Sequence, residues 1–478
     1  MILPLLFFFA EPPSTADLES ALKRFVDVLA IVQQQGADVV NTEQPIYQGA
    51  IPSMLRRLDP HSIFFDPLQY QQLKEMERSE QRGFGTVLSV LPGRVIILQT
   101  MQGSPSAKAG LQAGDEIVAV NNVALARLEP DQIIEYLSQS RQHEAILIVR
   151  RPGVIRLSQF VLDPELVDSP SVDRAFLLQP DVGFVRVTGF DPQTPKQLKE
   201  AIEKLGGDKL KGLVLDFRDN PGGAVQSAIL VASYFLKPGQ RVLSIKGRSV
   251  QDQDADTPQT AAPYSFRLAV LVNAKTASAA EIVSGALQDH DRATIIGQPS
   301  YGKGLVQNVF PLANNTALAL TTAFYYTPSG RSIQKPLESG QLEIAQQKEQ
   351  FHTDSGRTVS GGGGIHPDFI VGPEQPTRLR AVLEASGVLT SFATEFTQKH
   401  TVTADFDLTP AVLEEFQVYA GERGIQPPVA EWVGDRAWLQ SRLKEELFNL
   451  ALGVAKGDEV EAQRDPIVRA AVEHLSAP

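Results

Sequence analysis

The sequence predicts a multidomain α/β protein with helical regions at both ends, and three observations lead there. The chain has 478 residues, room for two to four domains with ample core. Apolar residues recur at helical spacing over 16–35 and again beyond residue 376. From about residue 181 strand and helix alternate, the mark of an α/β layer, whereas 83–149 reads as short strands broken by Gly and Pro turns. The expected divisions are a signal-like segment at 1–12, an N-terminal helical region at 13–80, a short-strand domain at 81–165, an α/β core at 166–375 and a C-terminal helical region at 376–478.

Composition narrows the function. A net charge of -12 offers no basic patch for nucleic acid, so no nucleic-acid partner is expected. With no cysteine the chain has no disulfide, no thiol nucleophile and no iron–sulfur site, and its 7 histidines are scattered. Walker, dinucleotide and zinc-ligand patterns are absent; neither a metal nor a cofactor is expected. The apolar run Met1–Ala10 followed by Glu-Pro-Pro resembles the hydrophobic part of a secretory signal, without the usual basic start. Export to the periplasm, or association with the outer side of a membrane, is the expectation.

Taken in order, Leu18, Leu22, Phe25, Val28, Leu29 and Val32 space a first helix, capped by Ser14 or Thr15. A short helix at 51–58 ends at Asp59-Pro60-His61-Ser62. Strands are expected at 83–88 and 95–98, a short helix ending at Ala109-Gly110, a strand near 117–121, a helix at 131–137 and a strand at 145–149. In the core, strands at 183–187 and 212–216 flank a helix at 195–205. The turn Arg218-Asp219-Asn220-Pro221-Gly222-Gly223 opens a helix at 225–235. Strands follow at 241–245 and 268–272, and a hairpin at 308–325. The stretches 246–263 and 335–364 read as surface loops. The helices after residue 376 read as a separate unit, and the helical ends offer a route to homo-oligomers.

The chemistry concentrates in 271–306. Ser278 stands among small residues where a strand gives way to a helix at 279–287, whose Ile282, Val283 and Leu287 form an apolar face. Free N–H groups at a helix start suit a developing negative charge. Lys303, in Tyr-Gly-Lys-Gly, follows a second strand at 293–296. A serine and a lysine joined by a β-α-β return are the minimum set for a Ser/Lys hydrolase. The plainer readings are an N-cap serine and an exposed turn lysine.

The order of turns in 83–149 (Gly83-Phe84-Gly85, Gly103-Ser104-Pro105, Ala109-Gly110, Gly114-Asp115-Glu116-Ile117) resembles a PDZ domain. That resemblance makes Gly83, Phe84 and Gly85 the loop that receives a peptide's terminal carboxylate, with the helix at 131–137 walling the groove. Wider still, Leu58-Asp-Pro-His-Ser62, this PDZ pattern, Asp216–Gly223, Thr276-Ala-Ser-Ala-Ala-Glu-Ile282, Tyr301-Gly-Lys-Gly-Leu-Val-Gln307 and Gly364-Ile-His-Pro-Asp368 occur in one order. The set resembles the C-terminal processing peptidases, or tail-specific proteases, of the S41 serine-peptidase family, over roughly 40–375. It implies a PDZ domain inserted before a β-α layered, crotonase/ClpP-like protease core. Carried over, the nucleophile falls on Ser278, the general base on Lys303 25 residues later, and the residue orienting the lysine on Gln307. The N–H of Ala279 and one from Gly222 or Gly223 would form the oxyanion hole. Protein or peptide substrates held by their C-termini are the implied partners.

A lysine acts as base only when neutral, which burial away from other charge favours. The sequence departs from the family where Ala280 replaces a frequent second serine, and at Phe217 and Asp219 in the glycine turn. Rival readings are Thr276 as nucleophile, a Ser278–His290–Asp triad, a PDZ adaptor with an inactive core, and a crotonase-like acyl-CoA enzyme. His290 belongs at the far end of the helix that Ser278 starts, where it reads as solvent-exposed; His61 and His366 read as structural. Arg218 either holds the glycine turn or pairs with a carboxylate.

Overall fold

The computed structural model describes residues 15–476 apart from 40, 42, 77, 249–250 and 337–349; the signal-like run Met1–Ala10 lies outside them. The described chain divides into two compact units, one made of residues up to Tyr70 with Gln307–Thr321, the other of the remainder.

In the first unit the helix Thr15–Gln35 leaves Leu18, Leu22 and Phe25 exposed. A π-helix, Gln44–Ala50, runs into the helix Ile51–Leu58 with Leu55 buried. The Asp59 carboxylate ends that helix by accepting from the N–H groups of His61 (2.7 Å) and Ser62 (2.8 Å) and from the Ser62 hydroxyl (2.6 Å). The Asp-Pro-His-Ser signature is therefore an Asx turn. It aims the strand Ile63–Phe65, which pairs antiparallel with Ala317–Ala319.

The second unit begins with the PDZ domain. Five strands, Thr86–Leu91, Arg94–Thr100, Glu116–Val120, Ala145–Arg150 and Ser158–Leu162, lie side by side in that order of adjacency. Val95, Ile97, Ile117, Val149 and Ile133 of the helix Pro130–Ser140 form its core. Strand Thr86–Leu91 is one edge of the sheet and Ser158–Leu162 the other.

The core sheet runs Val172–Gln179, Val182–Val187, Gly212–Asp216, Arg267–Val272, Thr294–Gly297, Phe369–Ile370; the first pair is antiparallel and the rest parallel. Its central strands are buried on both faces, as parallel sheets require. The alternation is strict. Leu213, Leu215, Val270 and Val272 face the helices Thr194–Leu205, Val225–Ala232 and Ala279–Asp289. Val214, Ala269, Leu271 and Ile296 face Ile467, Val468, Ala471 and Leu475 of the helix Pro466–Ser476. At about 1.5–3 kcal/mol for each large side chain buried, that last helix is a structural layer of the core. This corrects the expectation of a wholly separate C-terminal unit. The helices Arg378–Ser386, Val388–Lys399, Pro410–Glu422 and Arg436–Ala451 do build their own core, around Leu383, Phe392, Phe416 and Leu443.

Two loop expectations also change. Within 246–263 the polar segment Gln253–Asp256 is a strand paired with Arg241–Lys246, tied by Arg241 to Asp254 and Asp256. In the described part of 335–364 a small hairpin joins Phe351–His352 to Thr358–Val359.

Candidate active site

Two turns leave the C-terminal ends of neighbouring parallel strands, where open α/β sheets place their ligands. One follows Gly212–Asp216, the other Arg267–Val272, and they are stitched together. Phe217 N–H donates to the Leu271 carbonyl (2.9 Å), Ala277 N–H to the Asn220 carbonyl (2.9 Å), and the Thr276 hydroxyl to the Phe217 carbonyl (2.8 Å). Thr276 is fully buried and committed to that bond, which leaves it a structural residue.

Ser278 is half-buried between the buried Ala277 and Ala279, and its side chain faces the Glu281 N–H in a reciprocal capping box. Its backbone is at φ 52°, ψ -117°, a conformation that costs a non-glycine residue about 1–3 kcal/mol. An ordinary N-cap serine is extended instead. The helix it starts, Ala279–Asp289, is buried on every face and not merely along the expected stripe, because sheet, neighbouring helix and the Thr327 and Ile365 segments surround it. As the helix's first residue, Ala279 has an N–H with no intrahelical partner, and it donates to no acceptor among the described residues.

The glycine turn lies against this serine. A Cβ built on Gly222 (φ 98°) would stand 2.7 Å from Ser278 Cβ and 2.8 Å from Ala279 N. Only a hydrogen fits there. The Gly222 N–H is already taken by Asn220 Oδ1 (2.8 Å), and Asn220 is itself anchored through its amide to the Val187 carbonyl (2.7 Å). Gly223 (φ 142°) is pressed onto Phe190, whose N–H and carbonyl bond to Gly222 and Ala224; its own N–H points away and has no acceptor among the described residues. The free donors of the expected oxyanion hole thus narrow to Ala279 and Gly223. Gly222→Ala is expected to lower kcat for an unfolded protein reporter by roughly 100-fold, the cost of displacing a reacting atom by about 1 Å. Undiminished turnover would show that the close approach of Gly222 to Ser278 is dispensable.

Arg218 does both things the sequence suggested. It chelates Asp216 and reaches Asp465, at the end of the helix Val454–Arg464, so the turn is braced by the C-terminal helices.

Lys303 is half-buried, between the buried Gly302 and Gly304. Its backbone N–H donates to Glu281 Oε2 (2.9 Å), the same oxygen that accepts from Ser278 N–H (2.8 Å). Glu281 Oε1 accepts from Gly302 N–H (2.7 Å) and the Ser300 hydroxyl. Burial pushes the Glu281 carboxyl up, against the pull of these donors. The backbones of Ser278 and Lys303 are therefore linked through one carboxylate, which sequence reasoning had not singled out although Ser278-Ala-Ala-Glu281 has capping-box spacing. Gln307 belongs to the first unit, where its amide donates to the His61 carbonyl (2.6 Å).

His290 is not in this site. It caps the far end of the helix Ala279–Asp289, roughly 16 Å along the axis, with its ring between Asp354 Oδ2 (2.8 Å) and the Arg241 carbonyl (2.8 Å). Its side chain is only 9% exposed, so the expectation of a solvated histidine is also corrected: two polypeptide segments close over it.

In the PDZ domain Gly83 ends the strand Glu80–Gly83, paired with Glu165. The carbonyls of Phe84 and Gly85 are taken by Ser106 N–H (3.0 Å) and Met101 N–H (2.8 Å), whereas their own N–H groups have no acceptor among the described residues. Those free donors immediately precede the edge strand Thr86–Leu91. Leu88, Val90, Tyr136 and Leu137 are half-buried nearby, packed on the domain's core.

Residues 181–340 match the family model of peptidase family S41, and 96–151 that of a PDZ domain. A carboxy-terminal-processing protease of Bartonella bacilliformis is 35% identical over 318 residues, covering 66% of this chain and 72% of that protein. A carboxyl-terminal-processing protease of Synechocystis sp. is 32% identical over 292 residues, covering 60% of this chain and 68% of that protein. Among solved structures, a photosystem II D1 C-terminal processing protease shares 25% identity across 76% of this chain and 90% of its own, with a TM-score of 0.39.

Proposed function

The chain belongs to peptidase family S41, among the carboxy-terminal processing serine proteases, and from that premise we propose that it cuts proteins with a Ser278/Lys303 dyad after its PDZ domain has taken the substrate's C-terminus. The observation that carries the reading is the strained, half-exposed serine at the start of a buried helix, with two unclaimed N–H donors in the turns around it. Ser278 Oγ attacks the scissile carbonyl and its proton passes to the neutral Lys303 amine. The carbonyl oxygen becomes an oxyanion, received by the N–H groups of Ala279 and Gly223, each such donor being worth about 10²–10³ in kcat. Collapse expels the amine, which takes the proton from Lys303. Water then repeats the sequence on the acyl-enzyme.

Recognition of the tail rests on the PDZ edge. A substrate strand pairs with Thr86–Leu91, its carboxylate meets the Phe84 and Gly85 N–H groups, and its last side chain enters among Leu88, Val90 and Leu137. Those side chains are apolar and favour an apolar terminal residue.

A fluorophosphonate probe and a pair of unfolded reporters test both halves. The adduct is expected on Ser278. A reporter ending in an apolar residue is expected to have a kcat/KM higher on the order of tenfold than the same reporter ending in aspartate, the worth of one buried apolar side chain. An adduct elsewhere overturns the nucleophile, and equal cleavage of the two reporters overturns tail recognition.

A further inference from the structure

We propose that Glu281 is a positioning residue of the reaction: its buried carboxylate locks the turn bearing the nucleophile to the turn bearing the base. The proposal rests on the Ser278/Lys303 reading. Glu281 is fully buried in the first turn of the helix Ala279–Asp289. Oε2 accepts from the N–H groups of Ser278 (2.8 Å) and Lys303 (2.9 Å), and Oε1 from Gly302 N–H (2.7 Å) and the Ser300 hydroxyl. Four donors occupy the four acceptor directions of a carboxylate. Three of the donors are backbone groups, so what the carboxylate orders is the path of the chain at 278 and at 302–303.

Both turns need such a restraint. Ser278 lies in a backbone region its side chain disfavours, and such strain persists only where surrounding contacts over-determine it. Gly302 sits at φ 86° with its Cα against Lys335, so the lysine turn too has a single tolerated path. Other bonds tie the same turns from outside the reacting residues: Tyr301 N–H donates to the Thr276 carbonyl (2.9 Å), and the buried Tyr325 donates through its hydroxyl to the Ser278 carbonyl (3.2 Å) and through its N–H to the Gly304 carbonyl (3.0 Å). Among the described contacts, Glu281 is the side chain that takes the N–H groups of Ser278 and Lys303 themselves, through one oxygen. Because the dyad acts only when Lys303 Nζ can reach Ser278 Oγ, relaxing this joint lowers the rate of proton removal without touching the PDZ groove some 190 residues earlier in sequence.

Two substitutions test it in the full chain. In Glu281→Gln one oxygen becomes an amide donor facing donors, which breaks the joint. In Glu281→Asp the charge stays but the side chain is one methylene too short to reach both turns. The readouts are the fluorophosphonate labelling rate at Ser278, kcat and KM for the apolar-tailed reporter, binding of the reporter's tail peptide, and thermal melting. Both variants are expected to label more slowly, by about 100-fold for glutamine and at least tenfold for aspartate. In the aspartate variant KM, tail-peptide affinity and melting stay near wild type, which separates positioning from a general loss of fold. Should Glu281→Gln fail to fold, Glu281→Asp decides alone. A folded aspartate variant that labels and turns over like wild type overturns the proposal, as does a loss of kcat that only tracks the unfolded fraction. If wild type itself carries no label on Ser278, the dyad reading has failed instead.

Discussion

Replacing Lys303 by alanine is expected to lower kcat/KM for an unfolded reporter by roughly 10⁴–10⁶-fold, to the level of Ser278→Ala. A serine hydroxyl without a base is a poor nucleophile, and the residual rate comes from the oxyanion donors and substrate binding alone. The double variant is expected to be no worse than either single one, because two groups that act in one proton transfer are lost together. Lys303→Arg is the sharper probe. Arginine keeps the charge and most of the reach, but its guanidinium does not give up its proton near neutral pH. A base role therefore predicts an arginine variant as dead as the alanine one. A lysine that merely supplied positive charge to the site would be rescued by arginine, and measurable turnover by Lys303→Arg would end its assignment as base.

What could be read from the sequence, and what could not, divides along local and long-range causes. The β-α-β return that carries Ser278 and Lys303 was legible because each part is local: an apolar strand, a small-residue turn, a helix, a second strand. The glycine turn was legible for the same reason, but which glycine keeps a free N–H was not. That depends on Asn220 Oδ1 bending back to Gly222, a contact set by where Val187 lies. The role of Pro466–Ser476 was hidden because amphipathic spacing announces an apolar face without naming what it covers. Gln253–Asp256 has no strand pattern of its own; Arg241 opposite two aspartates makes it one. Glu281 was not singled out, since three of the four donors to its carboxylate come from residues 19–22 positions away.

The second large effect is expected on stability. Arg331→Met should lower the unfolding free energy of the second unit by about 3–5 kcal/mol, a sizeable part of the roughly 5–15 kcal/mol typical of a folded protein. Arg331 is fully buried, and its guanidinium donates to Asp289 Oδ1 (2.7 Å), Gln288 Oε1 (2.8 Å) and the Ser360 carbonyl (2.9 Å). Asp289 is 1% exposed and ends the helix that Ser278 begins. The only other donor that its side chain holds among the described contacts is the Ser329 N–H at 3.0 Å. Methionine fills most of the volume of arginine but leaves that carboxylate desolvated and uncompensated. The loss comes from the charge left behind and not from the bond removed, so the second substitution has the opposite sign: Arg331→Met with Asp289→Leu should regain most of the stability in a denaturant titration. A double variant as unstable as the single one would mean that the arginine's contacts to Gln288 and Ser360, and not its pairing with Asp289, secure this end of the helix.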